Sequence, residues 1–517
     1  MSRYRPILTV WRTKPLFIVA LLWILIIGGM LFLWNYDVGE RPLVMVWNED
    51  PLVYDPHRTS HPVSQSIFRH VCEPLFYKGF DGNIYGLLAE DTFEYSADGR
   101  TLVVPIRRGI TFHDSTPLDA VAVQKSFERI QYYGVSPLAN TLRAVRFQAD
   151  TAHNAVIFRL PEANYEFVSL VLSSSYAVIV SPLTEDPTTF VDCTGPYQFV
   201  PEMYQVNQHL TLVRSFSYKW PPGYFDNREH AYIPQIQFRF EPQREERLTT
   251  LLEGQSCVLS LSQEHIDVVK QYPHFRLYDD YGGVTYLGFN FQKPRWQDLS
   301  TRQALVMAID EYAVAQQGPF LIADTPLIPG AIGYTPSVGD HSYSFLPESS
   351  QTLLDQVGFD REATITLLIP ESNTYQQLAE VIQQQLQAIG LNNITIRAVP
   401  RSNILSKRQD FDLLLFDYAW EDYTAFAAFL GPGPRNLLNY PHNSIATLTS
   451  QAVSTSDAAS RQDLISEVQK TILEEAIWYP LVIREITTAV DSHCVQGEFV
   501  SPDRELLWHD AKTLSGP

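Results

Sequence analysis

The sequence predicts an α/β protein of two or more domains behind an N-terminal membrane segment, and three observations predict it. Strand-like and helix-like patterns alternate along most of the 517 residues, which suits an α/β or α+β chain and not a sandwich or bundle. At roughly 100 to 200 residues per domain the length allows two to four domains. With 45% hydrophobic and 12% aromatic residues each domain can bury a core, which excludes a disordered tail, a collagen and a small disulfide scaffold. The 38 Lys and Arg against 58 Asp and Glu leave a net charge of −20. That balance opposes phosphate backbones, so no nucleic-acid partner is expected.

The third observation is the run 16–34 (LFIVALLWILIIGGMLFLW), which has no charged residue and comes close to the roughly 20 apolar positions that span a bilayer. Arg3, Arg5, Arg12 and Lys14 precede it, and Asp37, Glu40 and Arg41 follow. The basic flank predicts a cytoplasmic N-terminus over 1–14, a transmembrane anchor over 15–35, a linker over 36–42 and everything later outside the inner membrane. A signal peptide has the same basic start and apolar middle, but the exit shows no small-residue cleavage site and no nearby Cys for lipidation. Trp34 and Tyr36 suit the outer interface. Cys72, Cys193, Cys257 and Cys494 fall in the part assigned outside, where thiols can oxidise. Three pairings exist, free buried thiols are the alternative, and no CxxC or Cys/His cluster suggests zinc.

Along the chain, 93–106 reads as a hairpin around Ala97, Asp98, Gly99 and Arg100, followed by an amphipathic helix over 120–130. Ser300 can cap a helix carrying Ala304, Leu305, Met307, Ala308 and Ile309. The clearest unit is a strand at 364–369, an amphipathic helix at 373–389 closed by Gly390, and a second strand at 394–399, the signature of a βαβ crossover. The apolar run in 412–418 (DLLLFDY) predicts a central strand. Ser456 or Asp457 can cap a further helix through Leu473, which must end before Pro480.

No signature of catalysis accompanies these elements. GxSxG, HExxH and GxxxxGK[ST] are absent. The Gly431-Pro432-Gly433-Pro434 loop lacks the N–H groups that cradle phosphate. His57, His61 and His70 have spacings that match no common ligand pattern on one helix. The expectation is a protein that is not an enzyme, with no cofactor and no metal.

Several segments in fixed order resemble the family 5 extracellular solute-binding proteins, the peptide-binding components of ABC importers. Residues 52–56 (LVYDP) are similar to the family's opening "LDP" loop, and 67–76 (IFRHVCEPLF) to its "vyEgL" helix. The stretch LLAE at 87–90, the Asp98-Gly99 turn and 106–119 (IRRGITFHDSTPLD) form the longest match. Residues 193–199 (CTGPYQF) resemble "GTGPY", with Cys193 in place of the first Gly. Residues 248–254 resemble a helix ending in "sGevD" without its acid, and 286–310, 326–334, 353–359 and 473–481 continue the series. The resemblance covers about 44–499. It implies the two-lobed periplasmic binding protein fold (type II, cluster C-like), with a first lobe from 43–289 plus 481–517, a second lobe from 290–480, and a hinge between them.

The same resemblance implies a ligand buried between closing lobes. The family's ligand-contacting "W..DY.dP" stretch is matched by Trp420, Glu421, Asp422, Tyr423, Thr424 and Ala425, one residue shorter and without the later "DP". Asp422 is the expected partner of a ligand amine, with Glu421 its rival, and Trp420 and Tyr423 are expected as flat walls. Tyr54, Asp55 and His57 belong to a loop that approaches the cleft in the family, and Thr194 and Gly195 border a strand edge. Arg435, Asn436 and Tyr440 are candidates for the ligand's far end, Arg435 by its planar fork. The implied function is a monomeric, membrane-anchored periplasmic receptor that delivers an oligopeptide or similar solute to ABC permease subunits. Two alternatives are a membrane-anchored sensor or envelope assembly factor that reuses the fold, and a nickel-chelate or haem binder.

Overall fold

A computed structural model describes residues 41–184, 190–407 and 409–514. The anchor read over 15–35 lies outside the described residues; among the described residues no helix is long and apolar enough to cross a membrane.

The main sheet contains ten strands numbered here in chain order: β1 Leu43–Trp47, β2 Tyr197–Gln205, β3 His209–Arg214, β4 Gln235–Phe240, β5 Val258–Leu261, β6 Phe275–Phe289, β7 Ile365–Pro370, β8 Ile394–Val399, β9 Leu413–Tyr418 and β10 Trp478–Asp491. Their spatial order is β8-β7-β9-β6-β10-β5-β1-β4-β3-β2, and a short strand, Phe320–Ile322, also pairs with β10. The two middle strands run to 15 and 14 residues, about 50 Å at roughly 3.3 Å per residue. They serve both halves of the sheet. Residues 275–281 of β6 pair with 485–491 of β10 next to β5, whereas 284–288 pair with 478–483 next to β9.

The register slips between Tyr281 and Val284, a bulge placed where the strands pass from one half to the other. Gly283 makes it possible: its φ is +116°, and a Cβ there would lie 2.7 Å from the Tyr418 carbonyl oxygen. No other residue fits that backbone. A second slip lies between Thr285 and Tyr286, opposite Pro480 and Val482. Pro480 therefore sits inside β10 at an irregularity that tolerates its missing N–H.

In the second half the βαβ unit is present as read. Strands β7 and β8 are parallel, joined by the helix Asn373–Ala388, whose first turn is capped by Ser372 Oγ accepting from Tyr375 N at 3.2 Å. Gly390 takes φ +93° after that helix. β9 lies between β7 and β6, parallel to one and antiparallel to the other, which explains why Leu413, Leu414, Leu415 and Phe416 are all buried. One expectation shifts. The helix Leu299–Met307 is capped by Asp298, which accepts from Thr301 N at 3.0 Å, and not by Ser300. The helix Ala458–Glu474, capped by Asp457, stops six residues before Pro480 at a turn where Ala476 has φ +43°.

In the first half the helix Pro62–Val71 packs on the sheet through Ile67, Phe68 and Val71, in one core with Phe238 of β4. A smaller antiparallel sheet holds the expected hairpin, Glu94–Tyr95 with Thr101–Pro105, extended by Ala155–Arg159 and Arg146–Asp150. The helix Ala120–Tyr133 covers it, Phe127 meeting Phe147 and Phe158 at 5.4 and 5.3 Å between ring centroids. This region shares one continuous apolar core with the second half of the main sheet. Cys72 bonds Cys193 and Cys257 bonds Cys494, which selects one of the three pairings.

Candidate functional site

Two adjoining cavities open where the halves face each other. The larger, about 790 Å³, runs along the bulge of β6 and is lined by Trp47, Arg69, Tyr278, Asp280, Tyr281 and Arg484 among others. The smaller, about 320 Å³, continues past Arg69, Tyr176, Asp280 and Tyr281 to the second half, where Ile332, Ala419, Trp420, Glu421 and Asp422 close it. Together they have the size of a pocket for a short peptide or similar solute.

The walls are positioned from both sides. Arg69 stands on the last turn of the helix Pro62–Val71 and pairs with Glu505. Asp280 faces Arg504 at 3.7 Å, and the Arg504 guanidinium lies 4.5 Å from the Tyr281 ring centroid. Lys78 meets Asp503 at 3.8 Å and donates to the Gly330 carbonyl at 2.7 Å. From the second half, the loop after β9 is stitched to Ile332: Ile332 N donates to the Glu421 carbonyl at 2.8 Å, and Ile332 bridges Asp422. Trp420 stacks on Tyr418 at 4.2 Å.

Burial raises the carboxyls on this loop. Glu421 is accessible to the cavity yet surrounded by protein; desolvation holds its pKa above the usual carboxylate value, Arg69 opposes the shift, and Asp422 adds to it. Its side chain accepts from Ser174 Oγ at 3.2 Å, a contact between the two halves. Asp422 is likewise raised by burial and accepts from Thr424 N at 2.7 Å.

The residues expected from sequence divide into two sets. Trp420, Glu421 and Asp422 line the smaller cavity; Tyr54, His57, Thr194, Gly195, Tyr423, Arg435, Asn436 and Tyr440 line neither. Tyr54 is fully buried among Phe190, Phe199 and Tyr204 and donates to Asp50 at 2.8 Å. Asp55 is buried against Arg129. His57 Nε2 sits 3.0 Å from the Val178 carbonyl, and burial lowers its pKa to about 4. Thr194 donates to Glu73 at 2.9 Å, a carboxyl that burial pushes up to about 7 while Tyr218 and Trp220 also donate to it. Gly195 packs so closely on Val71 that a Cβ would lie 2.5 Å from its carbonyl oxygen.

Tyr423 is buried and donates to Glu166. Arg435 is exposed, and Asn436 and Tyr440 close their own loop, Tyr440 N donating to Asn436 Oδ1 at 3.0 Å. Sequence reasoning missed Arg69, Asp280, Tyr281, Arg484 and Arg504. Among the described residues, the two groups of three potential metal donors, His274-Asp491-His493 and Glu245-Glu264-His265, line neither cavity.

Two α/β lobes sharing two continuous strands, with charged and aromatic cavities between them, define a bilobal solute-binding protein. The chain belongs to the family described as Bacterial extracellular solute-binding proteins, family 5 Middle, which residues 83–434 match. It is similar to the glutathione-binding protein GsiB of Shigella flexneri, 23% identical, with 92% of this chain and 94% of that protein covered. Among solved structures it is similar to the ABC transporter substrate-binding protein CtaP of Listeria monocytogenes, at 21% identity and TM-score 0.78, with 92% and 99% covered. It is also similar to a dipeptide-binding protein of Pseudoalteromonas sp. SM9913 in complex with Met-Leu, at 19% identity and TM-score 0.71, with 92% and 100% covered.

Proposed function

We propose that this chain captures an oligopeptide or similar solute between its lobes and delivers it to the permease subunits of an ABC importer, acting as a monomer. In this reading 43–289 with 481–517 form the first lobe, 290–480 form the second, and the β6–β10 crossing is the hinge. The observation that carries it is the pair of adjoining cavities whose walls come from both sides of that crossing. Trp420, Tyr176 and Tyr281 offer flat surfaces that accept varied side chains, and Glu421 offers a carboxylate to an α-amine.

The relatives lend support, since one is a glutathione-binding protein and another was solved with a dipeptide. Residues 15–35 anchor the protein in the inner membrane in this reading, with the lobes periplasmic. The charge-free run behind a basic flank supports that, and two disulfides suit an oxidising compartment. Calorimetric titration with pools of short peptides, together with small-angle scattering, tests it: heat of binding with compaction is expected, and no heat with no compaction counts against it. Recovery of a signalling or envelope complex in place of a permease on co-purification would favour the sensor.

A further inference from the structure

Most charges lining the two cavities are answered inside the protein. Arg69 pairs with Glu505, Arg504 with Asp280, and Lys78 with Asp503; Asp279 accepts from Thr487 Oγ1 at 2.7 Å, and Asp422 accepts from Thr424. Two groups are left over. Glu421 has only the Ser174 hydroxyl as a side-chain partner and no cation in ion-pair contact among the described residues. Arg484 lines the larger cavity, is exposed to it, and makes no ion pair among the described residues.

Arg484 is also held where it can matter. Its backbone lies in β10 with Phe320 paired opposite, and its Nη2 donates to the Gly282 carbonyl in the β6 bulge at 3.0 Å. A Cβ on Gly282 would lie 2.7 Å from Arg484 Nε, so the glycine makes room for the guanidinium. One carbonyl occupies one of five N–H donors, which leaves a planar fork matched to two carboxylate oxygens. Resting on the solute-binding reading above, we infer that Arg484 binds the carboxylate of a zwitterionic solute whose cationic end lies toward Glu421. Because the same guanidinium holds the bulge, capture of the anion is tied to the hinge strand.

The experiment titrates one peptide pool, as free acids and as C-terminal amides, into the full chain and its Arg484→Gln and Arg484→Lys variants. The free acids are expected to bind the unmodified protein about tenfold or more tightly than the amides, the scale of a charge-assisted bond lost. In Arg484→Gln the ratio between the two pools is expected to shrink to within about twofold, whatever the loss of the bulge contact does to both together; Arg484→Lys, with charge but no fork, falls between. Equal binding of acids and amides by the unmodified protein, or full discrimination by Arg484→Gln, overturns the assignment and leaves the peptide reading standing. If Arg484→Gln loses both pools, Arg484→Lys decides: unreduced discrimination there overturns the assignment. Binding of neither pool by the unmodified protein overturns the peptide reading and this inference with it.

Discussion

Glu421 shows what one side chain contributes when it is open to a cavity but poorly hydrated. Its neighbours are Arg69, which favours the anion, and Asp422 and Asp503, which disfavour it, with desolvation the largest effect. A group so raised protonates at a higher pH than a free Glu, so an amine bound against it loses its partner early on acidification. Affinity for a peptide with a free α-amine is therefore expected to fall on acidification at a pH above that at which a free Glu side chain protonates, and Glu421→Gln to flatten most of that dependence; a calorimetric pH series reads both. A residual slope would belong to Asp422 and Asp280, which burial also raises. Tyr54 and His57 make the contrast. Their loop has the residue types of a binding site, yet the Tyr54 ring is enclosed by three aromatic rings and the His57 imidazole by Val178 and Arg129. Cys193 looks like an isolated departure along the chain, but with Cys72 it forms one feature, a bond fastening the end of the helix Pro62–Val71 to the turn before β2.

Elements with a strong local period were legible, and those defined by a long-range partner were not. The βαβ unit, the Asp98-Gly99 hairpin and the buried strand β9 follow from apolar spacing and turn residues alone. The bulge in β6 does not, because Gly282 and Gly283 announce only a weak point in a strand until Tyr418 and Arg484 are placed beside them. Arg69 and Arg484 are likewise ordinary basic residues on a helix and a strand; only tertiary pairing shows that, among the described residues, one meets a carboxylate and the other does not. The bulge carries its own prediction. Gly283→Ala puts a methyl group against the Tyr418 carbonyl at a positive φ, which is expected to destabilise by about 2 kcal/mol or more. Urea unfolding checks it, and a loss below about 0.5 kcal/mol would mean the crossing relaxes at little cost.

At the scale of the molecule, the seam between the lobes sets how readily they part. Beyond the cavities, Tyr423 donates to Glu166, Arg461 Nε stands 3.5 Å from the same carboxylate, and Tyr165 N donates to the Val453 carbonyl at 2.8 Å. Glu166 is 8% exposed, so an opened hinge would hydrate it, whereas the closed seam must satisfy it from within. Removing one donor leaves a buried carboxylate short by a bond, a cost of about 1–3 kcal/mol. Under the proposed closure that cost falls on the closed state alone, and a two-state equilibrium shifts by that amount toward open. Tyr423→Phe, whose hydroxyl lines neither cavity, is therefore expected to raise the radius of gyration of the unliganded protein in small-angle scattering. It should also weaken peptide binding, by at most roughly 5- to 150-fold, and compaction should return at saturating ligand. An unchanged radius together with unchanged affinity would mean that the 75–179 region and the second half of the sheet, which share one apolar core, move as a single body. The hinge would then have to act between that body and the strands β1 to β5.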